Sequence, residues 1–160
     1  MTYAEKTEVS SERSRAEIER ILTRYGATQF LYGWDEGRAL VGFSAQDRQV
    51  RFTVPMPDRE GEQFKWTNHK PRRRNTVNQQ IAAYEQSIKQ RWRALALVIK
   101  AKLEAVEAGI TTFDSEFLAQ LVLPNGRTVA DDVIPRIEQA YEDHQMPSLL
   151  PSFEQKAIES

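Results

Sequence analysis

Residues 76–108 read TVNQQIAAYEQSIKQRWRALALVIKAKLEAVEA, and within them Val77, Ile81, Tyr84, Ile88, Trp92, Leu95, Ile99, Leu103 and Val106 recur at steps of three and four. That spacing matches the 3.6-residue turn, so the stretch predicts an amphipathic helix about 50 Å long at 1.5 Å per residue. Gly109 follows as its C-terminal stop. A helix with one continuous apolar ridge needs something to lie on, and the residues before it supply a sheet.

Upstream the period changes from 3.6 to two. Phe30, Tyr32 and Trp34 fall on one face of a strand, Asp35-Glu36-Gly37 turns the chain, and Ala39, Val41 and Phe43 continue on the next strand. A second turn at Gln46-Asp47-Arg48 leads to Val50, Phe52 and Val54, until Pro55 and Pro57 end the strand. An N-terminal helix precedes this meander, opening at Ser10 or Ser11 and carrying Ile18, Ile21, Leu22 and Tyr25 at i, i+3, i+4 and i+7, with Gly26 as its stop. Ser14 and Glu17 also have the spacing of a capping box.

Downstream of Gly109, residues 117–123 read as a further strand, Pro124-Asn-Gly126 as a turn, and Val129 to about Asp143 as a C-terminal helix with Pro135 either in its first turn or kinking it. The expected fold is therefore α+β: N-terminal helix, three-stranded antiparallel meander, long amphipathic helix, further strand and C-terminal helix. Residues 1–145 form one domain, and 146–160 a loosely ordered tail containing Leu149, Leu150 and Phe153. Residues 58–75 lack periodicity and read as a mobile loop that runs from acidic (Asp58, Glu60, Glu62) to basic.

With 40% apolar and 28% charged residues in 160, the composition is that of a folded domain able to bury a core. The absence of cysteine excludes disulfides, thiolate nucleophiles and cysteine-held zinc, and accords with a reducing cytoplasmic location. No apolar run approaches the roughly 18 residues of a membrane span. The formal charge of −1 hides an asymmetry: residues 1–103 hold 19 Lys+Arg against 12 Asp+Glu, a net of +7, and residues 104–160 hold 3 against 11, a net of −8. Such a dipole suits a basic surface for an acidic partner, or head-to-tail pairing of two copies.

The run from Lys65 to Arg74 interleaves cations with an aromatic ring, the combination that neutralises phosphates and stacks on exposed bases. Candidate nucleic-acid contacts are Lys65, Trp66, Lys70, Arg72, Arg73 and Arg74 on the loop, with Lys89, Arg91 and Arg93 on the long helix. Catalytic residues are harder to find. His69 and His144 are the only imidazoles and are poorly placed for a triad. Asp114, Ser115 and Glu116, like Asp131 and Asp132, occupy positions where a helix N-terminus favours negative charge. No phosphate-binding glycine loop is present. No cofactor or metal is expected.

The order helix, three-strand meander, helix, strand resembles the core of restriction-endonuclease-like nucleases, which hold a divalent metal with an Asp and a Glu-x-Lys on neighbouring strands. Here the third strand reads RQVRFTV over 48–54, with neither carboxylate nor lysine. Asp35 and Glu36 are carboxylates that a cation suits, but a hairpin turn favours them for its own geometry.

The wording of residues 14–20 (SRAEIER), 51–57 (RFTVPMP) and 91–104 (RWRALALVIKAKLE) resembles an uncharacterised family of small proteins encoded by bacteriophages and integrated mobile elements. That resemblance implies a source context and an accessory role in phage DNA metabolism or in inhibiting host defence, with no catalytic residues to carry over. The leading expectation is a non-enzymatic nucleic-acid-binding accessory protein. The alternatives are an inhibitor or adaptor that binds a host defence protein, and a metal-dependent nuclease. The apolar ridge of the long helix also suggests a homodimer.

Overall fold

The computed structural model describes residues 3–35 and 37–150, with side chains described from residue 12 onward. Its long helix, α2 (Val77–Glu107), starts at a reciprocal capping box: Gln79 N–H donates to Thr76 Oγ1, and the Thr76 N–H donates to the Gln79 side chain at 2.9 Å. It ends in a Schellman motif, with Gly109 at φ 73°, Gly109 N–H bonded to Val106 O and Ile110 N–H to Ala105 O. Ile88, Trp92, Leu95, Ala96, Ile99 and Leu103 are buried along one face. Val77 is not: it is 71% exposed, because the ridge reaches beyond the sheet at that end.

Helix α1 (Tyr3–Arg24) begins well before the expected start. Ser10, Ser11 and the Ser14/Glu17 pair all lie within it rather than at a cap. Residues 3–9 hold good helix formers and no Gly or Pro to stop the helix, but no apolar period that would reveal it. Its C-terminus is as expected: Gly26 at φ 89° closes a second Schellman motif, with Ala27 N–H bonded to Leu22 O at 2.9 Å.

Strands β1 (Gln29–Asp35), β2 (Arg38–Ala45) and β3 (Arg48–Pro55) form an antiparallel sheet in the order β1-β2-β3. Gln46 and Asp47 both take positive φ, which is the two-residue hairpin turn whose twist matches the strands. Glu36, expected in the first turn, lies outside the described residues. The register Phe30↔Phe43↔Val50 and Tyr32↔Val41↔Phe52 puts the apolar positions of all three strands on one face. That face meets Ile18 and Leu22 of α1 and the ridge of α2 in a single core.

The expected strand at 117–123 is replaced by a helical turn. Thr112 caps the short helix α3 (Phe113–Glu116), a 3-10 turn covers Leu118–Gln120, and only Leu121 and Val122 make single β-bridges, to Val50 and Thr128. The i, i+4 spacing of a helical turn places Phe113 and Phe117 side by side at 4.7 Å, and Phe117 meets Phe43 and Phe52 edge-on. Three aromatic contacts outweigh the strand preference of the segment.

Helix α4 (Val129–Asp143) follows a capping box between Thr128 and Asp131. Pro135 lies inside it, beyond the first turn, and has no N–H for the Asp131 carbonyl. The Arg127 guanidinium donates to that carbonyl at 3.1 Å instead, so the helix continues past the proline. Asp114 and Glu116 lie in the first turn of α3, where a helix N-terminus favours negative charge, with Thr112 as the cap. Asp114 also takes two bonds from Arg48 at 3.0 and 3.1 Å, and Glu116 pairs with Lys102 at 3.1 Å. After α4, Arg136 holds the chain by donating to the carbonyls of Ser148 and Leu150. The rest of the expected tail, including Phe153, lies outside the described residues.

Candidate nucleic-acid interface

The segment between β3 and α2 is folded by local hydrogen bonds rather than by an apolar period. A 3-10 turn at Glu62–Phe64 places Phe64 in a buried position, edge-on to Tyr84 of α2 with ring centroids 5.7 Å apart. Residues 65–75 then form an irregular hairpin. Asn75 N–H bonds to Lys65 O at 2.8 Å, Thr67 N–H to Arg73 O at 2.9 Å, and Trp66 and Arg74 make an antiparallel bridge. The Asn75 side chain donates to the Phe64 carbonyl at 2.9 Å, and Thr76 begins α2 directly. The hairpin is thereby tied to the N-terminus of the long helix at its base, and its tip carries His69, Lys70 and Arg72.

Its cations differ in their surroundings. Lys65 is paired with Glu62 at 2.8 Å. Lys65 also does most to hold the Glu62 carboxyl below its usual range, followed by a hydrogen bond from the Trp66 side chain and the charge of Arg74. Lys70, Arg72, Arg73 and Arg74 are exposed, and none has a carboxylate within ion-pair distance among the described residues. Trp66 is 38% exposed and lies close to the Glu62 carboxylate. Chemically this is a set of four exposed cations without an ion pair beside one accessible aromatic ring, Arg74 alone being near enough to a carboxylate, Glu62, to act on its charge.

The helix cations do not join that ridge as one surface. At about 100° per residue, Tyr84, Arg91 and Lys102 fall on one flank of α2. On that flank Tyr84 meets the hairpin base, Arg91 donates to the Pro55 carbonyl and Lys102 binds Glu116. Lys89 and Arg93 fall on the opposite flank and line a cleft against α1 together with Arg13, Ser14, Glu17, Gln86 and Gln90. Spacing along α2 alone puts Lys89 and Arg93 on a common face and Arg91 off it. What one chain position cannot reveal is which flank meets α1 and which meets the hairpin. Arg13 escaped sequence reading because nothing in α1 marks it apart from the other exposed arginines.

Among the described residues no three His, Asp or Glu side chains gather as a metal site. His69 sits at the hairpin tip and His144 caps α4 in the left-handed conformation, both exposed. Asp35 accepts from Arg38 at 2.9 Å. No described helix is long and apolar enough to cross a membrane. Comparison with protein-family models, with curated proteins and with solved structures finds no match to this chain.

Proposed function

We propose that this chain is a non-enzymatic accessory protein that binds nucleic acid through the basic hairpin. Lys70, Arg72, Arg73 and Arg74 contact the phosphate backbone, and Trp66 offers a stacking face. The observation that carries the reading is the set of four exposed cations without carboxylate partners on a hairpin anchored to the fold by Phe64 and Asn75. Exposed cations on a pre-ordered element release counterions without paying an ordering entropy, the condition for sequence-independent phosphate binding. Lys65, neutralised by Glu62, and Arg91, bonded to Pro55, act as supports for the hairpin and its flank. The resemblance to small phage-encoded proteins accords with such an accessory role.

Fluorescence anisotropy with labelled single- and double-stranded DNA and RNA at low salt tests this. Binding with Kd of about 10⁻⁴–10⁻⁶ M that weakens as salt rises is expected. Absence of binding to all four probes at that protein concentration overturns the reading.

A second reading rests on a different surface. α4 exposes Ile134, Ile137 and Tyr141 among Asp131, Asp132, Glu138, Glu142 and Asp143, which suits an adaptor or inhibitor that docks on a host protein with a basic, partly apolar patch. Recovery of one stoichiometric partner from nuclease-treated lysate, lost on Ile137→Asp, supports this reading over the first. Self-association by way of the α2 ridge has less to act on, because that ridge is already buried within one chain.

A further inference from the structure

Helices α1 and α2 run in the same direction: Arg13, Ser14 and Glu17 face residues 86–93, and Arg24 to Gly26 face Leu103 to Glu107. Toward the N-terminal end of this pair the helices leave a polar cleft of about 310 Å³. Arg13 and Glu17, at i and i+4, form one wall, and Lys89 and Arg93, also at i and i+4, form the other, with Gln86 and Gln90 beside them. None of the three cations has a carboxylate within ion-pair distance among the described residues, and Glu17 has no cation within that distance. Two like charges one turn apart on α2 repel each other, and a third faces them from α1. An arrangement of this kind is relieved by an anion.

The charges specify which anion. Three cations against one carboxylate leave +2, which matches a phosphomonoester dianion better than a phosphodiester monoanion. Glu17 repels phosphate but accepts hydrogen bonds, so the group bearing the phosphate should present a hydroxyl, and the two glutamine amides add donors and acceptors for a polar body. The volume is at the small end of ligand pockets, the size of a sugar phosphate or a mononucleotide. A contrasting cleft of about 480 Å³ on the outer face of the sheet has a single cation, Arg51, already bonded to Gly126 O and paired with Asp131, and offers nothing comparable.

We propose that the α1/α2 cleft is a phosphomonoester site, with Arg13, Lys89 and Arg93 on the phosphoryl oxygens and Glu17 accepting from a hydroxyl of the attached group. It lies on the opposite flank of α2 from the basic hairpin and does not depend on the hairpin binding nucleic acid. Two sources share this chemistry, a free nucleotide or sugar phosphate and the 5′-phosphate end of a strand.

Isothermal titration with a nucleoside 5′-monophosphate, and anisotropy with 5′-phosphorylated against 5′-hydroxyl oligonucleotides, separate them. The expected result is a Kd of about 1 mM or tighter for the monophosphate, none for the nucleoside, and a loss of roughly tenfold for each of Lys89→Ala and Arg93→Ala. Both side chains are exposed, and an unchanged thermal transition shows that the variants fold. Glu17→Gln tightens binding of inorganic phosphate, and the triple variant Arg72→Ala, Arg73→Ala, Arg74→Ala leaves monophosphate binding intact. Preference for the 5′-phosphorylated strand without monophosphate binding assigns the site to strand ends. No binding of either, or binding that survives loss of both Lys89 and Arg93, overturns the proposal.

Discussion

Phe64→Ala separates the hairpin from the rest of the fold. Phe64 is 6% exposed, yet it stands outside the main core cluster and meets the domain through Tyr84 at 5.7 Å. Truncating a buried phenylalanine in a core costs about 3–5 kcal/mol, and here the site is peripheral and can collapse, so about 2–3 kcal/mol is expected. That loss falls on local opening of residues 62–76 rather than on global unfolding, because the hairpin has no other large side chain buried. Since about 1.4 kcal/mol is a factor of ten, the opening equilibrium rises roughly thirtyfold or more. Hydrogen exchange followed by mass spectrometry reads it directly: the amides of Lys65, Thr67 and Asn75 exchange faster by that factor, and those of Trp92 and Ile99 keep their rates. Nucleic-acid affinity falls in parallel, because the binding surface must be ordered on contact. If the core amides accelerate as much as the hairpin amides, or the hairpin amides do not change, Phe64 is not an independent anchor and the pre-ordered ridge loses its basis.

Trp92 is fully buried and its Nε1 has no hydrogen-bond partner among the described residues. Trp92→Phe therefore removes an orphan donor along with volume and should cost clearly less than the 3–5 kcal/mol or so typical of Trp92→Ala, as urea denaturation will show. Arg127→Ala should destabilise α4 more in the native chain than in a Pro135→Ala background, where the backbone supplies the bond that Arg127 now replaces and only the Arg127–Asp132 pair at 2.6 Å is lost; a double-mutant cycle on thermal midpoints reads the coupling. The Asp131 carboxyl is held below its usual 3.8, first by the Thr128 backbone N–H. A depressed carboxylate contributes stability that is present above the unfolded pKa and lost as pH falls through the folded one, so Asp131→Asn should flatten the decline in stability below about pH 4. Gly109→Ala, at φ 73° with open space around the added methyl, should cost about 1–2 kcal/mol from backbone strain alone.

The legibility of this chain followed its periodicity. The α2 ridge, the two hairpin turns and the bounds of α4 are written in apolar spacing, capping residues and glycine, each acting within a few positions. What failed was governed by partners distant in sequence or by segments without a period. Residues 3–9 form helix with no apolar stripe, and Phe117 is drawn into a helical turn by Phe43 and Phe52 rather than into a strand. The basic run 65–74 was legible as composition, but its hairpin shape comes from hydrogen bonds between Lys65 and Asn75 and between Thr67 and Arg73, which no pattern announces. Likewise Lys89 and Arg93 stood out, whereas Arg13 joins them only because α1 packs alongside α2 in parallel.

The salt dependence of binding to a labelled duplex, measured for the native chain and for the variant with Arg72, Arg73 and Arg74 replaced by alanine, bears most directly on the proposed function. Four phosphate contacts predict a log–log slope of roughly −3 to −4 for the native chain, and losing three brings it to about −1. Equal slopes for the two proteins contradict the assignment of phosphate binding to the hairpin.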